Sequence, residues 1–572
     1  GGIISITTKG PSNKMFGGFE FESSSLFDSY NYNLLGFALS GPILKKRNTD
    51  GSKGSSVIGY FLAGEFRSVD DTDPSAIGMW KVKDSKLAEL QANPFKIAPN
   101  SAAGFLNRSE FLSSNDFENV QAKQNANEKR FNISGKLDLK PSKNTFLSLG
   151  GSYYARESRD FSSWRSMYSW DNNRQSTQHT YRVFGKLVQK FGSAEDNEDE
   201  SSATVKNAFF TIQANYTNNR YTYIDAEHQD NLFHYGYVGK FVTSKAPTYA
   251  FGSAIDSSNG RLYTGRVLNG FADTLYEFTS GGINSALENY TNSYIDMFSE
   301  YNMSSYVGSY GADGQLRTAI DLQGKGLKNG ELPSNVYSLF GNPGSMYGGS
   351  AKQENTQTTF KASGSADIKS HEFSFGFEFE QRKDYYWGAS LLRTLGGADS
   401  RNLWGLMRQQ ANKHILELDL NNPIPVFDAN GIYQDTINYE RLFISSEQST
   451  FDANFREKNN IGQLDFIDID SYSPDAFSLD MLSQDEILNN GTSLIYYYGY
   501  DIYGNKNDQN NTLKDFFTHK DDNGQYTRNI APYNPIYQAG YIQDKFAIED
   551  LIFNIGLRVD RFDANQKVLK DR

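Results

Sequence analysis

The sequence predicts an all-β chain: an antiparallel transmembrane β-barrel portion with long extracellular loops. Three observations carry this. Apolar and polar residues alternate with a period of two through one stretch after another, which puts successive side chains on opposite faces of a strand. The connections between these stretches alternate between short and very long. The composition, finally, joins a low apolar share of 38% to 14% aromatic residues, with 41 Phe, 36 Tyr and 50 Gly in 572 residues. A compact soluble chain usually holds about 45–50% apolar residues, whereas a sheet whose apolar surface is one residue deep needs fewer.

Eleven strands are read, at 16–24, 31–43, 56–68, 129–140, 145–156, 179–191, 205–220, 355–369, 373–387, 535–547 and 551–563. In 129–140, Phe131, Ile133, Leu137 and Leu139 alternate with Asn132, Ser134, Lys136 and Asp138. Pro141 to Asn144 then supply turn chemistry. The clearest hairpin joins Phe360, Ala362, Gly364, Ala366 and Ile368 to Phe373, Phe375, Phe377 and Phe379 through a tight turn near Ser370. Tyr537, Ala539 and Tyr541 lead into the last hairpin, and Phe553, Ile555, Leu557 and Val559 lead out. Most stretches exceed the ~5–6 residues of an ordinary strand and match the ~9–11 that a tilted strand needs to cross hydrocarbon. Long connections at 69–128, 157–178, 221–354 and 388–534 alternate with short ones, the first connection at 25–30 being the exception. Loops above about 12–15 residues are uncommon in compact domains, but short turns on one side and long loops on the other are what a membrane barrel has. A soluble β-sandwich or β-helix is the alternative, and it rarely keeps its long loops to one side.

Several chemistries are excluded. The formal charge of −12 argues against nucleic acid, which needs a positive footprint. With no Cys there is no disulfide scaffold, thiol catalysis or thiolate metal site. No run of 18 apolar residues is present for a spanning helix. G-x-S-x-G, the phosphate-loop motif and H-E-x-x-H are missing, Gly324 to Gly330 reads as a loop, and no carboxylate pair is placed in a cleft. No enzyme activity, cofactor or metal is expected. The densest set of potential ligands is Asp225, Glu227, His228, Asp230 and His234; on a strand its two histidines would lie about 20 Å apart, too far for one ion. Asp501 to Asn505 and Asp521 to Gly524 offer oxygens suited to Ca²⁺, but read more simply as Asx turns. The acidic run 194–200 reads as a solvated turn.

Within the loops, Pro474 and the run Phe477, Met481, Leu482, Ile487, Leu488 suggest a short helix closed by Asn490-Gly491. The tyrosines that follow, Tyr496, Tyr497, Tyr498 and Tyr500, either offer flat contact area to a solute or partner, or pack the loop's own small core. Tyr153, Tyr154, Tyr385, Tyr386, Trp387 and Tyr541, near strand ends, are expected in the interfacial girdles. Ser134, Lys136, Ser374, Glu378 and Arg558 are expected on a polar lumen face.

The opening Gly1-Gly2-Ile3-Ile4-Ser5-Ile6-Thr7-Thr8-Lys9-Gly10 resembles the end of the plug domain of TonB-dependent outer-membrane receptors, with Ser5 where Asn is common. Gln538 to Lys545 followed by Asn554 to Asp560 resembles a mid-barrel hairpin of that family. Phe37 to Ile43 and Gly59 to Ala63 are similar to the opening strands of its Oar-like branch, and the Tyr-rich loops to receptors from Bacteroidetes. The resemblance implies a plug-filled, 22-stranded barrel in the outer membrane of a Gram-negative bacterium. Such a barrel imports a scarce solute with energy relayed by TonB. It makes Gly1, Gly2, Ile3, Ile4, Ile6, Thr8 and Lys9 the plug end within 1–10, and 11–572 the N-terminal part of the barrel, about 11 of the expected 22 strands. The chain is then expected to be a fragment that begins partway through its protein. Implied partners are outer-membrane lipid, TonB through the missing plug and N-terminus, an unidentified solute and a surface lipoprotein. Two other readings stand beside this one: a barrel acting as a scaffold or secretion-associated component without import, and a soluble secreted β-rich binding or adhesin protein.

Overall fold

The computed structural model describes residues 14–47, 51, 53–97, 105–191, 205–255, 262–300, 327–394, 402–418, 440–548 and 550–566. Strict alternation leaves each stretch with two unlike faces, so neighbouring stretches pair most simply in chain order. They do: β1 (Phe16–Ser23), β2 (Asn33–Arg47), β3 (Lys53–Val69), β4 (Glu128–Leu139), β5 (Thr145–Asp160), β6 (Arg174–Phe191), β7 (Val205–Ile224), β8 (Gly349–Ile368), β9 (His371–Ser390), β10 (Ile536–Ile548) and β11 (Leu551–Asp563) form one antiparallel meander. All eleven predicted strands are present. Among the described residues β1 pairs only with β2 and β11 only with β10, so the sheet has two open edges.

The turns at one end are tight. β8 and β9 are joined by Lys369-Ser370, with Ile368 opposite His371 and Lys369 in the left-handed region at φ 57°. Between β4 and β5, the Ser142 hydroxyl accepts from the backbone N–H groups of Asn144 and Thr145. The other end carries the long connections and the short one between β1 and β2.

Register puts two opposite chemistries on adjacent rows. Ile58, Leu139, Leu147, Leu187, Ile212, Ala362, Phe377, Gly540 and Val559 lie directly across from one another through nine strands. One residue along, Asp138, Ser148, Lys186, Gln213, Lys361, Glu378, Ala539 and Asp560 form the neighbouring row, on the other face. The apolar face is bare: Phe375 is 53% exposed, Phe377 46% and Val559 63%. In water such a face is an aggregation surface; in lipid it is solvated.

The strands outrun their predicted ends. β7, β8 and β9 have 20 residues each, or roughly 66 Å at ~3.3 Å per residue, against an apolar band about 25 Å tall. The sequence boundaries at 179, 220, 355 and 387 stop short of Arg174, Ile224, Gly349 and Ser390 because polarity ceases to alternate there: Asn218 and Asn219, and Glu354 and Asn355, are polar on both faces.

The described parts of the long connections are folded, with apolar residues turned inward. Helices α1 (Leu403–Gln410) and α2 (Thr450–Asn459) place Trp404, Phe451 and Phe455 in a core at 0% exposure. The helix expected after Pro474 is broken into two short 3-10 turns and a five-residue α3 (Gln484–Leu488). Ser483 and Glu486 form a capping box at its start, and Asn489, Asn490 and Gly491 all have positive φ at its end.

Candidate functional site

Where the polar face continues beyond the apolar band, at the long-loop end, it forms one unbroken cross-strand row. Arg67, Arg130, Arg156, Gln178, Tyr221, Gln353 and Tyr386 are register partners from β3 to β9. Tyr498 extends the row because the short strand Ile495–Tyr498 anneals to β9, with Tyr386 opposite Tyr498, Trp387 opposite Tyr497 and Gly388 opposite Tyr496.

Two-residue alternation splits the tyrosine cluster that the sequence singles out. Tyr496 and Tyr498 share the polar face with Tyr386. The Tyr386 ring stacks on Tyr498 at 5.9 Å and meets Tyr496 edge-on at 5.9 Å, and Tyr496 is 70% exposed. Tyr497 points the other way, into the loop core, donating its hydroxyl to the Arg528 carbonyl at 2.7 Å; burial pushes its phenol above the ordinary value. Tyr500 is buried against Tyr385 with Lys352 over its ring. A second aromatic pair lines the same face: Tyr221 and Tyr223 stack at 6.4 Å and 7°, and the Arg174 guanidinium sits 4.6 Å from the Tyr223 ring centre. Asp160 Oδ2 accepts from Arg174 Nε and Nη2 at 2.9 and 2.5 Å, which fixes that stack. The result is a shelf of phenol rings, flat and amphipathic, at the mouth of the polar face.

At the other end of the row, three arginines converge on one carboxylate. Glu128 is 2% exposed. It accepts from Arg67 Nη2 at 2.5 Å, Arg130 Nη2 at 2.9 Å and Arg156 Nε at 2.5 Å. Sequence reasoning missed this cluster, because its three arginines are 26 to 89 positions apart in the chain. The signal was present all the same: laying the predicted hairpins side by side brings the arginines opposite one another.

Ser134, Lys136, Ser374, Glu378 and Arg558 all lie on the polar face. The girdle expectation needs correction. Tyr153 is on the apolar face, where it packs on Tyr181 at 5.0 Å. Tyr154 and Tyr386 are on the polar face, since neighbours in a strand point oppositely. Tyr541 is there too, its ring lying over Gly376, where any Cβ would collide with it. Tyr385 and Trp387 have apolar-face parity but are buried beneath 495–508, donating to Asp508 at 2.6 Å and to the Ile502 carbonyl at 2.9 Å. Gly1 to Lys9 and 194–200 lie outside the described residues.

The segment holding His228 and His234 is turns rather than strand, and their rings are 6.4 Å apart. Each is engaged elsewhere, His228 with Asn284 and His234 with Asp475, both at 2.8 Å. Among the described residues no group of three or more His, Cys, Asp or Glu is placed to hold a metal ion. Asp521 accepts from the N–H groups of Asn523 and Gln525 in an Asx turn, and Asp501 accepts from the Asn505 N–H to close a tight loop.

No family model matches the chain, and no curated protein does. Among solved structures it is similar to TonB-dependent outer-membrane receptors of Gram-negative bacteria. One is the pyoverdine outer membrane receptor FpvA from Pseudomonas aeruginosa PAO1, bound to pyoverdine, at 10% identity and a TM-score of 0.31 over 97% of this chain and 41% of that one. Another is the outer membrane transporter YddB from Escherichia coli, at 8% and 0.31 over 96% and 39%. A third is the siderophore receptor PiuA from Acinetobacter baumannii, at 10% and 0.24 over 94% and 51%. These are receptors and transporters, not enzymes. The chain spans 37–41% of the length of the first four such structures.

Proposed function

We propose that this chain is wall and outer mouth of a TonB-dependent outer-membrane transporter, with the last strand of the plug at 1–10 and barrel wall with extracellular loops over 11–572. One observation carries the reading. A sheet eleven strands wide keeps apolar side chains bare on one face and polar ones on the other, with the tight turns at one end and the long, folded loops at the opposite end. Lipid on the first face and an aqueous lumen on the second satisfy both chemistries at once. Strand edges left open in hydrocarbon would leave N–H and C=O groups unpaired at several kcal/mol each, so β1 and β11 require further strands beside them. In this reading the tyrosine shelf meets an unidentified solute as it enters, the plug occludes the lumen, and TonB acting on the plug opens a path. A surface lipoprotein above the loops is compatible with it.

The test is topographic. With the full-length protein in bilayers, a photoactivatable acyl-chain probe should label Phe375, Phe377 and Leu557 and spare Ser374, Glu378 and Arg558. Labelling of the polar set, or of neither, refutes the barrel. Absence of any solute uptake with TonB present would leave the barrel standing and favour a scaffold without import.

A further inference from the structure

From β8 to β11, the tight-turn half of the apolar face carries one carboxylate, Asp544. It shares a row with Ala366, Phe373 and Ile555, with Ile542 one row above and Phe546 one row below. Ile548 and Leu551, nearer the turn of that hairpin, are apolar again and 58% and 65% exposed. The carboxylate therefore lies within the apolar field, not at its edge. An ionisable side chain on a lipid-facing surface is expensive to keep, and it marks a function when the protein does not match it in place.

The match inside the protein is incomplete. Asp544 Oδ2 accepts from His371 Nδ1 at 2.8 Å, but Oδ1 is buried and has no hydrogen-bond partner. His371 stacks on Phe373 at 5.8 Å and packs on Phe546 at 5.1 Å, which fixes its ring. A neutral ring that donates from Nδ1 keeps a lone pair on Nε2, and that nitrogen makes no hydrogen bond among the described residues. The ammonium next in the chain, Lys545, is on the opposite face, paired with Glu372 at 3.1 Å. Two acceptors and one negative charge are thus left on the apolar face without a donor or a countercharge. Both have to come from the lipid side.

We infer that Asp544 and His371 bind the headgroup of a phospholipid carrying a primary ammonium, in the leaflet at the tight-turn end. An ammonium has three N–H groups, so it can donate to His371 Nε2 and to the carboxylate together while cancelling the charge. A quaternary ammonium brings the charge but no N–H. His371 directly follows the Lys369-Ser370 turn, so it stands at the headgroup end of its hairpin. Lys369, exposed in that turn, supplies a cation for the phosphate of the same headgroup. Above the pair, Ile542, Ile555 and Leu557 continue the apolar track for the acyl chains. The inference rests on the barrel reading, which puts this face in lipid.

Native mass spectrometry of the full-length protein in detergent tests it, with dioleoyl phosphatidylethanolamine, phosphatidylcholine and phosphatidylglycerol titrated separately. Saturable retention of the ethanolamine lipid, roughly tenfold tighter than the choline lipid of the same chains, is the expected result. D544N should bring that ratio close to one. H371F, which keeps a ring for Phe373 and Phe546 to pack on, should remove most of it. Because the readout is a ratio on one preparation, general loss of lipid by a misfolded variant does not imitate it. Equal retention of the two lipids by the parent overturns the inference, as does a preference kept by either variant. Tighter binding of phosphatidylglycerol overturns it too, since the pair would then attract an anion. Acyl-chain labelling of the same protein in bilayers keeps the two claims apart. Correct labelling without a headgroup preference removes this inference and leaves the barrel; labelling of the polar face removes the barrel reading itself.

Discussion

The wall and the loops use the same residues in opposite senses. On the wall, Phe375 and Phe377 stand more than two-fifths exposed, and the hydrogen-bonded ladder, with cross-strand pairs such as Lys361–Glu378, holds the strands in register. In the loops, Phe451 and Phe455 are fully buried, stacked at 5.8 Å, and packed with Phe477 and Trp404 around an ordinary interior. Hydrophobicity therefore does not report burial in this molecule. It reports which solvent the residue meets, and the low apolar share follows: only the loops need a core, and the wall needs one apolar layer.

This contrast breaks most sharply in the loops. Phe455→Ala should destabilise the loop body by about 3–5 kcal/mol, the usual cost of emptying an aromatic core site. Hydrogen exchange should then show protection lost over 450–488 while β8 and β9 keep theirs; simultaneous loss in the wall would mean the two are one cooperative unit. Phe377→Lys should cost about 2–4 kcal/mol when unfolding is measured in bilayers, as for a cation in the middle of the apolar band. Ser374→Lys, on the polar face of the same strand and opposite Ser365 and Gln543, should stay within roughly 0.5 kcal/mol. Equal costs for the two would abolish the distinction between faces.

The smallest effect concerns a tie between two loops. Burial pushes the Asp470 carboxyl up, but the Arg408 guanidinium, donating at 2.7 and 2.8 Å, outweighs it and holds the group below its ordinary value of 3.8. Asn329, from the 225–348 connection, donates to the same carboxylate at 2.9 Å. A depressed carboxylate contributes stability that is present above its unfolded value and lost as pH falls through its folded one. Arg408→Ala should therefore cost about 1–3 kcal/mol at neutral pH, and the difference from the parent should shrink on acidification below the ordinary carboxylate range. A difference that stays constant with pH would mean packing, not charge, holds the tie.

Strand existence was legible because period-two alternation is local, as in Phe373 to Glu380. Strand ends were not, because Asn218, Asn219, Glu354 and Asn355 are polar on both faces and obey no alternation. The loop body was largely hidden: Leu403, Trp404, Phe451, Phe455 and Phe477 are spread over 75 positions, from which no period can be read. Ser483 and Glu486, spaced as a capping box, were a local signal for the start of α3 that the sequence reading did not use. The tyrosine site was half legible. Sequence placed Tyr496, Tyr497, Tyr498 and Tyr500 together but not on sides, because that division needs the four-residue strand on β9 to be recognised first. The arginine row lay furthest from view, since it exists only in the pairing of strands.

The double use of β9 has a mechanical consequence. Near the tight turn it is zipped to β10, from His371 to Gln381; further out, from Tyr386 to Ala389, the same strand is zipped to the 495–498 segment. A tug on that segment parallel to β9 loads all their shared hydrogen bonds together, in shear, rather than peeling them one by one. The loop body and the sheet are thus spliced by a single continuous rod, and a displacement at the shelf is felt along the strands beneath it.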